Sequence, residues 1–343
     1  MSSVWIPCLV RSRVPDVVPV QLGEVTVDAY LRFVWARARH NTLLAVAFDL
    51  KVFFGIITKA PGDVKPADVL RFIELQRRPV RGENVVRIED GELGLSARTI
   101  RRRLSSVSGL FEYLVATEVV VKNPVPRGLG NRNGRRGSPL VRSPRTLPRI
   151  LNPSEVDSLM GALRTRRDRA MIQAMLFGGL RRCEVLGLRF EDIQAGERRV
   201  FITDGKGGHQ RITPISNRFF ESLGTYLTEE RPLVTASTGV STERLFVVLK
   251  GPGKGQPLTA YGLDQVMRGA RQRGGLRHAT CHELRHTCLT RLREAGMALE
   301  AVQAQAGHRS IETTRLYLHL ADTWLADEYH RAINAIDAES SVS

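Results

Sequence analysis

The strongest constraint on this chain is a stretch without acids. From Val119 to Ser154 there is no Asp or Glu, while Lys122, Arg127, Arg132, Arg135, Arg136, Arg142, Arg145 and Arg149 are mixed with Pro and Gly. Proline removes backbone donors and glycine raises the entropy cost of ordering, so no long helix or strand can run through it. The 343 residues therefore divide into two bodies joined by a basic linker. One-sided charge suits a strap lying against a polyanion, whereas an incidental linker would mix its signs.

Both halves are patterned for helices. Residues 1–20 read as a short arm with Pro7, Pro15 and Pro19. From Gln21 on, Val27, Tyr30, Leu31, Val34 and Trp35 recur at helical spacing, and Thr42 to Ile57 repeats the pattern. Pro66 to Arg77 predicts a third helix. Ser96 is an N-cap candidate for a fourth, with Ile100, Leu104, Val107, Phe111 and Leu114 on one face. Arg98, Arg101, Arg102 and Arg103 cluster at its start without interleaved acids. That cluster is a candidate phosphate-contacting face, with a solvated surface as the plain alternative. Arg132, Arg135 and Arg136 of the linker are candidates of the same kind.

The second half opens at Asn152-Pro153-Ser154, a helix start. Ala170 to Phe177 is apolar nearly all round, which predicts a buried helix ended by Gly178-Gly179. Arg199 to Ile215 alternates and turns at Asp204-Gly205-Lys206-Gly207-Gly208, a β-hairpin signature. Beyond it the pattern reads as helical to the end, closing on an amphipathic helix over 322–336 with Leu325, Tyr329, Ile333 and Ile336 on one stripe. The expected fold is mainly α with a small antiparallel β-sheet. Its expected parts are an arm (1–20), a helical domain (21–122), a linker (123–149) and a second domain (150–343).

A formal net charge of +16 says nothing of fold but points to a polyanionic partner, nucleic acid first among them. Cys8, Cys183, Cys281 and Cys288 are too few and too scattered for a disulfide framework, which fits a reducing compartment. No signal-like run opens the chain and no membrane-length apolar run occurs, so a cytoplasmic protein is expected.

His282-Glu283-Leu284-Arg285-His286 matches H-E-x-x-H, the helical zinc motif of metalloproteases. Two features weigh against that reading. Arg285 would sit beside a dication, and Leu289 stands where the longer form of the motif needs Gly. With Arg285 as the working residue the same segment becomes H-x-x-R. Gly307-His308 and then Tyr317 follow it; Gly179-Leu180-Arg181 and Gly205-Lys206-Gly207 precede it. Arginines suit phosphate oxygens, because the planar guanidinium never deprotonates. A tyrosine can carry a phosphoryl group as a covalent ester.

Arg, Lys, His-x-x-Arg, His and Tyr in this order resemble the tyrosine recombinase (phage-type integrase) family across residues 150–320. The helical N-terminal half is similar, less specifically, to the family's core-binding domain. The resemblance implies a two-domain C-shaped clamp on double-stranded DNA and a nucleoid-associated location. It implies a homotetramer on recombination sites, with accessory DNA-binding proteins compatible, and strand exchange through a Holliday junction. Tyr317 would be the nucleophile, and Arg181 and Arg285 would clamp the phosphate. Lys206 would protonate the leaving oxygen, His282 would assist proton transfer at Tyr317 or orient the phosphate, and His308 would donate to a non-bridging oxygen. No metal or other cofactor is implied. The tail helix would dock on a neighbouring subunit. Departures occur at Gly178, Arg182, Ala306 and His209, none of which removes a catalytic group. The long basic linker and these departures lean toward a mobile element. A type IB topoisomerase-like enzyme and a non-catalytic DNA-binding relative are the alternatives.

Overall fold

The structure is a computed structural model. It describes residues 5–12, 18–78, 94–126, 140–141, 148–203 and 210–308, together with Thr314 and Ile333. Lys206, Tyr317, Arg132, Arg135, Arg136 and, apart from Ile333, the 322–336 helix lie outside the described residues.

The chain separates into two compact units, 1–145 and 146–343. The first begins with the short strands β1 (Val10–Arg11) and β2 (Val20–Gln21), paired antiparallel. The segment read as an arm is thus part of this unit. Val18, Val20 and Leu22 are buried, and the Trp5 indole donates to the Leu22 carbonyl while its ring meets Phe54. Among the described residues four α-helices follow: α1 (Val25–Arg37), α2 (His40–Ile56), α3 (Pro66–Arg77) and α4 (Ala97–Ala116). Each buries one stripe. In α4 that stripe is Ile100, Leu104, Val107, Leu110, Phe111 and Leu114, started by Ser96, whose hydroxyl accepts from the Thr99 N–H. Phe53 meets both Phe54 and Phe72 edge to face at the centre of the unit, each pair with ring centroids 5.0 Å apart.

The second unit is helical around one small sheet. Its helices are α5 (Pro153–Gly161), α6 (Arg166–Gly178), α7 (Arg182–Gly187), α8 (Asn217–Thr225), α9 (Arg231–Thr238), α10 (Ala260–Arg273), α11 (Cys281–Glu294) and α12 (Leu299–Ala306). Strands β3 (Ile193–Gln194), β4 (Arg199–Ile202) and β5 (Arg211–Pro214) pair antiparallel in the order β3-β4-β5. Phe201 faces Ile212 across the β4–β5 hairpin. Buried α6 runs through the core and packs on α8 and α11, as its nearly all-apolar stretch Ala170–Phe177 requires.

The expectation of helix all the way after the hairpin is corrected at 239–259. There the chain is irregular, holding β-bridges at Arg189–Arg244 and Val247–Pro257. Gly251, Pro252, Gly253, Gly255 and Pro257 break any helix there. Among the described residues no helix is long and apolar enough to cross a membrane.

Candidate active site

The site assembles where the ends of α6, α7, α11 and α12 meet. Gly179 ends α6 with a left-handed φ of 67°, a conformation that glycine adopts without strain. That turn sends the chain through Leu180 into Arg181, the cap of α7. Gly178 before it has no room for a side chain, because a Cβ would lie 2.8 Å from Ile215 Cδ1.

Arg181 is organised by Glu184, one turn along α7. The Glu184 side chain is 0% exposed. Its Oε1 accepts from Arg181 Nη1 at 2.7 Å, and its Oε2 accepts from the Arg181 backbone N–H at 2.8 Å. Arg211 on β5 donates from Nη1 to Oε1 and from Nη2 to Oε2, both at 2.9 Å. Burial pushes the Glu184 acid upward. The hydrogen bonds and charges of Arg211 and Arg181 outweigh it and hold the carboxyl at about 2.

Arg285 lies on α11 and is 3% exposed. It donates to the carbonyl of Gly179 from Nη1 and to that of Ala306 from Nη2, the latter at 2.6 Å. Arg181 Nη2 donates to the next carbonyl, Gly307 O, at 3.2 Å. Two guanidinia thus hang on consecutive carbonyls at the C-terminal end of α12, where the helix dipole favours cations. Gly307 makes the turn with φ 60°, and His308 follows it.

His308 Nε2 is 3.1 Å from Arg285 Nη2, and its Nδ1 is 3.1 Å from Thr314 Oγ1. A guanidinium can only donate, so Nε2 accepts and the ring proton sits on Nδ1, donated to Thr314. Burial, followed by the charges of Arg285 and Arg181, lowers this imidazole to about 4, in keeping with a neutral ring. The role expected for His308 was donation to a phosphate oxygen. As the groups stand, its Nε2 instead accepts from Arg285.

His282 is exposed in the first turn of α11. Its Nε2 lies 2.8 Å from His286 Nε2, one ring donating and the other accepting. Burial, then His282 and Arg285, lower His286 to about 4. The zinc reading finds little here. Glu283, the base of that motif, is spent on a capping box, with Oε2 accepting from the Thr280 N–H at 2.8 Å. Burial raises Cys281 to about 11, helped by Asp264, and Cys288 to about 12, so neither is a ready thiolate. Among the described residues no group of three or more His, Cys, Asp or Glu gathers to hold a metal.

Arg181, Arg285 and His308 are therefore brought together, and His282 lies on the helix that carries Arg285. Two residues escaped sequence reasoning. Arg211 alternates along its strand like any surface arginine, and only the fold reveals its buried partner. Gln305 donates to the carbonyls of Gly178 and Pro214, both at 2.9 Å, tying α12 to α6 and to β5.

In the first unit, the arginine cluster of α4 splits. Arg98 and Arg101 are exposed. Arg102 Nη1 donates to the buried Asp49 carboxylate at 2.7 Å, and Arg103 donates to Gln76.

Comparison with known proteins agrees with this geometry. Residues 149–323 match the phage integrase family. Tyrosine recombinase XerC of Roseiflexus castenholzii is 32% identical over 307 residues, covering 86% of this chain and 88% of that protein. A tyrosine recombinase of Pseudothermotoga lettingae is 31% identical, covering 83% and 90%. In fold, the chain is similar to XerH site-specific recombinase bound to a palindromic difH substrate, with a TM-score of 0.63 at 22% identity, covering 89% of this chain and 84% of that one. The Tn1549 transposon integrase in complex with circular intermediate DNA gives 0.60 at 20% identity, covering 86% and 95%. With the two clustered arginines, the histidine beside them and these matches in hand, the chain belongs to the phage integrase family and is a tyrosine-type site-specific recombinase.

Proposed function

We propose that this protein cleaves and rejoins double-stranded DNA through a 3′-phosphotyrosyl intermediate, with Tyr317 as the nucleophile. The observation that carries the reading is the convergence of Arg181, Arg285 and His308 on the end of α12. Among the described residues three guanidinia and one carboxylate share this region, and Glu184 balances Arg211. The two positive charges left, on Arg181 and Arg285, match the two negative charges of a pentacoordinate phosphodiester transition state. Preorganised donors of this kind stabilise charge where it develops.

In the proposed step the Tyr317 oxygen attacks phosphorus, its proton passing toward His282. The P–O5′ bond breaks, and Lys206 gives a proton to the leaving oxygen. The products are a 3′-phosphotyrosyl ester and a free 5′-hydroxyl, and reversal of the step with another 5′-hydroxyl joins a new strand. Bond energy is kept in the ester, so ligation needs no nucleotide cofactor. His308, neutral and accepting from Arg285, orients that arginine toward the phosphate.

The net charge of +16 supports duplex DNA as the partner. Arg98 and Arg101 are the proposed phosphate contacts on α4, and Arg132, Arg135 and Arg136 extend them along the linker. Arg102 and Arg103 serve chiefly to hold α4 on the buried Asp49 and Gln76. Four subunits on two sites would exchange strands through a Holliday junction in the cytoplasm, in the service of a mobile element.

The test mixes purified protein, in EDTA, with nicked duplexes taken from the DNA flanking its gene. A protein–DNA band that survives SDS and is lost in Tyr317→Phe is the expected result. Tight binding without any adduct would instead indicate a non-catalytic relative.

A further inference from the structure

We propose that Arg211 is a positioning residue for strand cleavage, acting through Glu184 on Arg181. This rests on the cleavage reaction proposed above. Arg211 begins β5 and is nearly buried, its side chain 12% exposed. Its guanidinium is used on two sides. Nη1 and Nη2 grip both oxygens of Glu184, and Nε donates to the Gln305 carbonyl at 3.3 Å. Gly307 sits directly against it, since a Cβ there would lie 3.0 Å from Arg211 Nη1.

The consequence follows from how arginine meets carboxylate. A guanidinium and a carboxylate prefer the two-pronged pairing, with both oxygens taken by one fork. Glu184 gives that pairing to Arg211. The Arg181 guanidinium therefore bonds Glu184 through Nη1 only, and its Nη2 is left pointing along the α12 end, on Gly307 O. Without Arg211, Glu184 would be free to take the Arg181 fork in two-pronged fashion and draw it back toward α7. Arg211 thus keeps Arg181 presented toward the position of the phosphate. Because it starts the strand that leaves the hairpin turn, it also fixes β5 against both α7 and α12.

The experiment compares Arg211→Met, Arg211→Lys and Arg181→Ala in single-turnover adduct formation on two nicked duplexes. One carries the ordinary scissile phosphate. The other carries a methylphosphonate, which lacks one charged oxygen and so needs one arginine fewer. Arg211→Met should slow cleavage of the phosphate about 100-fold, the scale of a misplaced catalytic group, with DNA affinity retained. On the methylphosphonate the deficit should shrink by at least about tenfold, because the lost interaction is one that this transition state does not need. Arg181→Ala should show the same substrate pattern. Arg211→Lys keeps the charge but lacks the fork, so it should fall between wild type and Arg211→Met. It also carries the test if Arg211→Met does not fold.

An equal loss on both duplexes would overturn the proposal, as would no loss on the phosphate. If the wild-type protein forms no adduct on any duplex, the Tyr317 reading fails instead. The proposal is then decided without DNA by the Arg181 guanidinium resonances in NMR. Arg181 Nη shifts that Arg211→Met leaves unchanged would sink it; their displacement in that variant, as the Arg181 fork turns onto Glu184, would sustain it.

Discussion

Replacing Glu184 by Gln gives a stability change whose size and pH dependence both follow from the site. Gln keeps the shape of the side chain and stands in for the protonated acid. Glu184 falls from an ordinary value of 4.5 to about 2 in the folded protein. At about 1.4 kcal/mol for each tenfold change in proton affinity, that is about 3 kcal/mol of stability in the ionised form. The sign is that of a depressed carboxyl. The contribution is complete above the unfolded value near 4.5 and is lost as pH falls toward about 2. Glu184→Gln should therefore cost about 3 kcal/mol at about pH 7, but only about 2 kcal/mol at about pH 3.5. Urea unfolding of the full chain, followed by circular dichroism at several pH values, measures the difference. Two units allow two transitions, and only that of residues 146–343 should move. A penalty that stays constant across this pH range would refute the reasoning. It would mean that the cost comes from packing and not from the charge that Arg211 and Arg181 hold.

Other predictions follow from the same geometry. His308 should show the nitrogen shifts of a neutral ring with its proton on Nδ1 at about pH 6, because burial and two arginines hold it at about 4; imidazolium shifts at that pH would contradict the assignment. Gly179→Ala must place a side chain at φ 67° and 3.3 Å from Leu289 Cδ2, which should cost about 1–2 kcal/mol in chemical unfolding. It should also slow cleavage, because the Gly179 carbonyl anchors Arg285. Arg98→Ala and Arg101→Ala should each lower the salt dependence of DNA binding by about one phosphate contact. Arg103→Ala should instead act on stability, since that side chain is only 13% exposed and belongs to the Asp49 pairing.

Much of this architecture is legible in the chain itself, for reasons that can be named. The α4 stripe from Ile100 to Leu114, the nearly all-apolar run of α6 and the alternating β4–β5 hairpin announce themselves, because local periodicity and burial agree. Arg181, Arg285 and His308 could be read as one group because each follows a local signature, Gly-Leu-Arg, His-x-x-Arg or Gly-His. Arg211 and Asp49 could not. Arg211 meets Glu184 27 residues back along the chain, and Asp49 meets Arg102 across 53. No local pattern marks such a pair. The same blindness applies to His308, whose protonation depends on Arg285, a residue it meets only after α11 and α12 pack. The irregular 239–259 segment was missed for a simpler reason. Its apolar residues Leu245, Phe246 and Val247 are buried, yet Gly and Pro forbid the helix that burial alone would suggest.

The central claim is that Tyr317 becomes joined to DNA. The most direct measurement digests the SDS-stable adduct with nuclease and trypsin and locates the remaining phosphate by mass spectrometry. The peptide between Arg315 and Arg331 holds both Tyr317 and Tyr329, so fragmentation must separate them. A 3′-linked nucleotide on Tyr317 is the predicted result. The same mass on Tyr329, on a serine, or on no peptide of this chain would contradict the account.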